Sequence, residues 1–91
     1  MDVAAYINDI YPEEELMTID GFDEAFIGVG TVFNETITCY DRDRIIGILM
    51  ERDRLTQEDA EEYLEFNIAG AYMGKKTPIL ISIVESEKEK N

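Results

Sequence analysis

Between Ala25 and Tyr40 the side chains alternate in character from one position to the next, whereas before and after that stretch the apolar ones recur at every third and fourth. A period of two belongs to a strand and a period near 3.6 to a helix, so a chain that keeps the two in separate blocks is restricted to α+β arrangements. In the alternating block Ile27, Val29, Thr31 and Phe33 fall on one face of a strand running Ala25 to Phe33, with Phe26, Gly28, Gly30 and Val32 on the other. Asn34-Glu35 then closes a hairpin. A second strand, Thr36 to Tyr40, sets Ile37 and Cys39 against Thr38 and Tyr40, which predicts a sheet covered on one face.

The flanking blocks carry helix signals. Asp2 caps a short helix with Val3, Tyr6, Ile7 and Ile10 on one face, ending before Pro12. Pro12-Glu13-Glu14-Glu15-Leu16 is suited to start a further helical turn, and Asp20-Gly21 marks a reversal. Asp41 caps a second helix reaching about Arg52, with Ile45, Ile48, Leu49 and Arg52 in one stripe that Ile46 and Met50 widen. Thr56-Gln57-Glu58-Asp59 is a capping box with aspartate in place of glutamate. It opens a third helix with an inner stripe of Ala60, Tyr63, Leu64, Asn67, Ile68 and Ala71, ended by Gly74. Thr77-Pro78 leads into a last strand, Ile79 to Val84. The predicted order is α-β-β-α-α-β, a small α+β domain of about three mainly antiparallel strands against two to three helices. It occupies residues 1–84 as one unit, with a flexible charged tail over 85–91.

Composition narrows the function classes. The chain has 21 acidic and 8 basic side chains, no histidine, and a formal net charge of -13. Such a surface repels nucleic acid and anionic membranes and is drawn to basic proteins. Apolar residues at 45% place the chain outside the composition of disordered segments. Cys39 is alone and cannot form an internal disulfide; Met1-Asp2-Val3 lacks the start of a secretory signal; no apolar run approaches the roughly 18 residues that span a bilayer. These features predict a cytoplasmic protein with no membrane role.

Catalytic chemistry finds little support. Gly28-Val29-Gly30 suggests a phosphate loop, but a nucleotide fingerprint needs a third glycine opening a helix, and here Thr31-Val32-Phe33 continues a strand. Close approach of the third helix, through Ala69, Gly70 and Ala71, accounts for these glycines better. Asp41 and Asp43, near Glu35, lack the twelve-residue pattern of a calcium loop and suit the first turn of a helix instead. A small metal or ligand site around Asp41, Asp43 and Asn67 is the sharper alternative, although no metal and no cofactor is expected. Cys39, mid-strand with no base to activate it, reads as a small core residue. Asn67 sits on an apolar stripe, where a buried amide needs a partner, either backbone around Gly74 to Thr77 or a neighbouring strand; a ligand-reading role is the other possibility. No enzyme activity is predicted.

The acids themselves are unevenly placed. Residues 1–41 contain ten carboxylates and no lysine or arginine. One patch comprises Glu13, Glu14, Glu15, Asp20, Asp23 and Glu24; the other comprises Glu58, Asp59, Glu61, Glu62 and Glu65 on the third helix; neither contains a base. On that helix the glutamates lie three or four apart, roughly 5–6 Å from one another, and each like-charge pair costs about a few tenths of a kcal/mol. Binding to a basic partner would compensate for that repulsion. A purely solubilising coat is the plainer explanation.

The segments Asp20-Gly21-Phe22-Asp23-Glu24-Ala25, Ile27-Gly28-Val29-Gly30, Tyr40-Asp41-Arg42-Asp43, Ile48-Leu49-Met50, the run Glu61 to Tyr72 and Thr77-Pro78 resemble a family of small acidic phage, prophage and bacterial proteins without an assigned activity. The likeness spans about residues 20 to 81 and is carried chiefly by Glu65-Phe66-Asn67-x-x-Gly70-Ala71-Tyr72. Asp53-Arg54-Leu55 departs from it, where the family has Asp-Gly and an apolar residue. The resemblance implies a shared fold and, by analogy with acidic phage inhibitors, a non-catalytic protein that blocks the basic nucleic-acid-binding surface of a host enzyme or defence protein as a DNA mimic. A homo-oligomeric module joined through its last strand is the alternative.

Overall fold

Three side-chain caps start the three helices. In the computed structural model, which describes residues 1–84, the Asp2 carboxylate accepts the Ala5 N–H at 3.1 Å and opens α1 (Val3–Ile10). Asp41 does the same for the Arg44 N–H at 3.2 Å and opens α2 (Arg42–Arg52). Thr56 does so for the Asp59 N–H at 3.1 Å and opens α3 (Gln57–Leu64). Each cap satisfies an amide that the first turn leaves without a partner. The predicted turn after Pro12 does not extend into a helix: Glu14 N–H bonds the Tyr11 carbonyl at 3.1 Å and the chain goes on irregularly, with a short 3₁₀ turn at Asp23–Ala25. The tail assigned to 85–91 lies outside the described residues.

The sheet order is β1 (Phe26–Val32), β2 (Glu35–Asp41), β3 (Ile79–Ile81), with β1 antiparallel and β3 parallel to the central β2. The element order is as predicted and the sheet is mixed. A parallel neighbour needs a long crossover, and α2 with α3 supplies it. Ile37, Thr38, Cys39 and Tyr40 are all buried, so β2 is covered on both faces and not on one. β2 is also the central strand, so it has a paired neighbour on each edge. The last strand is shorter than predicted: only Ile79–Ile81 pairs, and Ser82 to Val84 carry no ladder.

Two irregularities change which side chains share a face. Phe26 pairs with Tyr40 and Gly28 with Cys39, leaving Ile27 as the extra residue of a β-bulge. The bulge moves Phe26 onto the Tyr40 and Val29 side, away from Gly28 and Gly30, and the Phe26 and Tyr40 rings meet edge to face at 5.6 Å. Gly28 has φ 152°, where a side chain would be strained, and Gly30 leaves room for Cys39: a methyl group there would lie 3.3 Å from Sγ. The glycines therefore serve the bulge and the cross-strand thiol, not a close approach of the third helix.

The second irregularity is in the third helix. After Leu64 the backbone widens into a π-helical segment, Glu65–Ala69, closed by the Gly70 N–H on the Glu65 carbonyl at 3.0 Å, and the helix ends at Gly70 and not at Gly74. The Asn67 side chain donates Nδ2–H to the Tyr63 carbonyl at 3.2 Å, the acceptor that its own backbone would take in a regular helix. Gly70 makes the turn possible, since a Cβ there would sit 2.9 Å from the Glu65 oxygen.

Phe22, Ala25, Tyr40, Ile45, Ile46, Leu49, Ala60 and Leu64 form one buried cluster between the sheet and α2 and α3. The loop before β1 is tied to the same layer. Thr38 Oγ1 donates to the Met17 carbonyl at 2.7 Å, and Tyr40 accepts the Ile19 N–H at 3.0 Å. No helix among the described residues is long and apolar enough to cross a membrane.

Candidate protein-binding face

The acids of α3 begin as helix chemistry. Glu58 and Asp59 occupy the first turn, where the aligned peptide dipoles favour negative charge. Ala60 and Leu64 turn into the core, which leaves Glu58, Asp59, Glu62 and Glu65 exposed and Glu61 half-buried. Glu61 accepts a long bond from Gln57 Nε2 at 3.4 Å. Glu65 meets Arg42 Nη2 at 3.1 Å, so a base from the start of α2 does reach this patch, contrary to the expectation that it contains none. Glu58, Asp59 and Glu62 have no ion-pair partner among the described residues.

The N-terminal acids are divided among different tasks. Lys76, 62 residues away in sequence, bonds Glu14 at 2.8 Å and the Thr36 carbonyl at 3.3 Å, and lies 3.8 Å from Glu35. These contacts hold its ammonium above the ordinary lysine range, the Glu14 bond being the main cause. Asp23 accepts the Val3 N–H at 3.2 Å and joins α1 to the start of the sheet. Glu13, Glu15, Asp20 and Glu24 remain exposed. This patch too receives a base from elsewhere in the chain.

Asn67 is exposed, not buried among apolar neighbours, and its partner is the Tyr63 carbonyl and not the loop from Gly74 to Thr77. The π segment shifts the helical phase and takes position 67 off the inner stripe. Tyr63, assigned to the same stripe, is 44% exposed. The Gly74 to Thr77 loop is closed by Thr77, which accepts the Met73 N–H and donates to the Gly74 carbonyl, both at 2.7 Å. Asp41 is engaged as a cap, and Asp43 lies 4.0 Å from Arg42 Nη1. No group of three or more metal-ligating side chains comes together among the described residues. Burial pushes the Cys39 thiol above its ordinary range, which keeps it protonated at neutral pH.

What α3 and the π segment do bring together is a shallow groove of about 250 Å³ lined by Leu55, Asp59, Glu62, Tyr63, Phe66 and Asn67. Phe66 is 77% exposed at its side. Reading the acids alone misses this groove; the signal for it is the aromatic pair Tyr63 and Phe66 at a three-residue spacing beside Asp59 and Glu62. Asn67 also borders a second, smaller cavity with Asp20, which places two residues from separate parts of the chain at one site. No protein-family model, curated protein or solved structure is matched by this chain.

Proposed function

We propose that this chain is a non-catalytic acidic binding protein, of the phage type its sequence resembles, acting in the cytoplasm by covering the basic nucleic-acid-binding surface of a host enzyme or defence protein. The observation that carries this reading is the set Glu58, Asp59 and Glu62, exposed on one helix and unpaired among the described residues, in a chain of net charge -13. Carboxylates at three- and four-residue spacing present charges at intervals comparable with those of successive phosphates. In the free protein they repel one another, and a basic surface removes that repulsion. The exposed N-terminal acids Glu13, Glu15, Asp20 and Glu24 add long-range attraction and raise the association rate.

Capture from host lysate by the wild-type chain and by a variant with Glu58, Glu61, Glu62 and Glu65 changed to glutamine tests this. The expected result is a nucleic-acid-binding protein retained by the wild type at low salt, displaced by duplex DNA and by moderate salt, and absent from the variant. Equal capture by both chains, or capture that duplex DNA leaves untouched, would overturn the reading.

A second reading, a homo-oligomeric module, is favoured by the hairpin tip. Phe33 is 95% exposed and shares a cavity of about 580 Å³ with Tyr72, which is 77% exposed, and among the described residues both outer strands of the sheet have one unpaired edge. Sedimentation over a broad concentration range distinguishes the two: a constant monomer mass leaves the acidic reading alone.

A further inference from the structure

The groove at the end of α3 has a chemistry more specific than negative charge. Asp59 and Glu62 contribute carboxylates, Tyr63 and Phe66 contribute exposed aromatic rings, Leu55 is its half-buried apolar side, and no lysine or arginine lines it. A lysine ammonium meets a carboxylate as a compact, strongly hydrated point charge. A guanidinium is planar and weakly hydrated, stacks on an aromatic face and still presents a fork of donors to a carboxylate. The chain already contains this combination internally: the Arg52 guanidinium lies 4.8 Å over the Phe22 ring while its Nε and Nη2 donate to the two Asp53 oxygens at 3.2 and 3.3 Å.

Phe66 lies two residues on from the buried Leu64, on about the opposite side of the helix, and is 77% exposed, although a ring of that size is favourably buried when a surface is available. The groove thus holds the aromatic and carboxylate groups that Phe22 and Asp53 present to Arg52, without an arginine or lysine in its lining. From this we propose that the groove takes an arginine side chain of the basic partner, stacked on Phe66 and Tyr63 and paired with Asp59 or Glu62. The inference rests on the acidic-binding reading and deepens it: the partner surface is arginine-bearing, and arginine is preferred over lysine at this position.

The test titrates the full chain with a short arginine–serine peptide and with its lysine–serine counterpart of equal charge, at low and moderate salt. The expected result is about fivefold tighter binding of the arginine peptide, the order of an exposed cation–π contact. Phe66→Ala should remove the difference between the peptides without moving the circular dichroism spectrum, because Phe66 is largely solvent-exposed. Asp59→Asn with Glu62→Gln should weaken both peptides. Equal affinity for the two peptides, with salt-sensitive binding retained, would overturn the groove while leaving the acidic reading standing. An arginine preference that survives Phe66→Ala would also overturn it. A concentration-dependent mass abolished by Phe66→Ala would assign the groove to a second copy of the chain, and that outcome too rejects the proposal.

Discussion

The phenol oxygen of Tyr40, on a fully buried side chain, accepts the backbone N–H of Ile19 at 3.0 Å and so joins the loop before β1 to the centre of the sheet. Two residues earlier on the strand, Thr38 makes the companion bond to Met17. Tyr40→Phe keeps the ring and its edge contact with Phe26 but leaves the Ile19 amide without an acceptor. The expected loss is about 1–3 kcal/mol, the desolvation penalty of an orphaned backbone donor, and urea unfolding measures it. An unchanged midpoint would mean that water replaces the phenol.

The same residue predicts how stability responds to alkali. Burial raises the Tyr40 phenol above its ordinary 10.0, with Asp23 and Asp20 adding to the rise and the Ile19 bond opposing it. The Cys39 thiol is raised from its ordinary 9.0, again chiefly by burial, against a bond from the Gly30 backbone. The folded chain thus keeps protons that the unfolded chain has released. Their contribution is complete below the unfolded values and is lost as pH rises through the folded ones. Chemical denaturation as a function of pH should show a decline beginning near 9.0 and steepening above 10.0. Cys39→Ala should remove the earlier part, and Tyr40→Phe the later.

Gly30 and Cys39 are predicted to be energetically coupled. A methyl group on residue 30 would lie 3.3 Å from Cys39 Sγ, tighter than an ordinary contact in a buried layer. Gly30→Ala should destabilise by about 1 kcal/mol through overpacking. In a Cys39→Ala background the sulfur is gone and the added methyl fills part of the space. A double-mutant cycle in urea should give a favourable coupling, and strict additivity of the two substitutions would contradict the geometry.

Features that depend on neighbouring residues were legible in the sequence. Asp2, Asp41 and Thr56 each bond an amide three residues on, so their sequence context was enough to start three helices. Ile45, Leu49, Ala60 and Leu64 follow from helical spacing and are buried. What was not legible depends on long-range pairing or on competition between weak terms. The parallel pairing of β3 with β2 joins positions about forty residues apart. The Ile27 bulge shifts one residue within a strand and reverses the side on which Phe26 lies, and no period-two pattern contains that information. At the site, the acids were evident but their uses were not: Glu14 is bound by Lys76, Glu65 by Arg42, and Asp23 by the Val3 amide. The spacing of a regular helix puts Asn67 on the inner stripe, and its own side chain, bonded to Tyr63, accompanies the irregularity that removes it.

That irregularity gives Gly70→Ala a diagnostic sign. In a regular helix, alanine for glycine stabilises by about 1 kcal/mol. Here the new Cβ would lie 2.9 Å from the Glu65 oxygen that accepts the Gly70 N–H, so the substitution should destabilise. Asn67→Leu acts in the opposite direction: it frees the Tyr63 carbonyl, raises helix propensity by about half a kcal/mol, and favours return of position 67 to the apolar stripe. In the Asn67→Leu background Gly70→Ala should therefore become neutral or stabilising. Backbone chemical shifts over residues 63–70, read together with urea midpoints for the two single variants and the double variant, check both parts. A stabilising Gly70→Ala in the wild-type background would rule out the π turn.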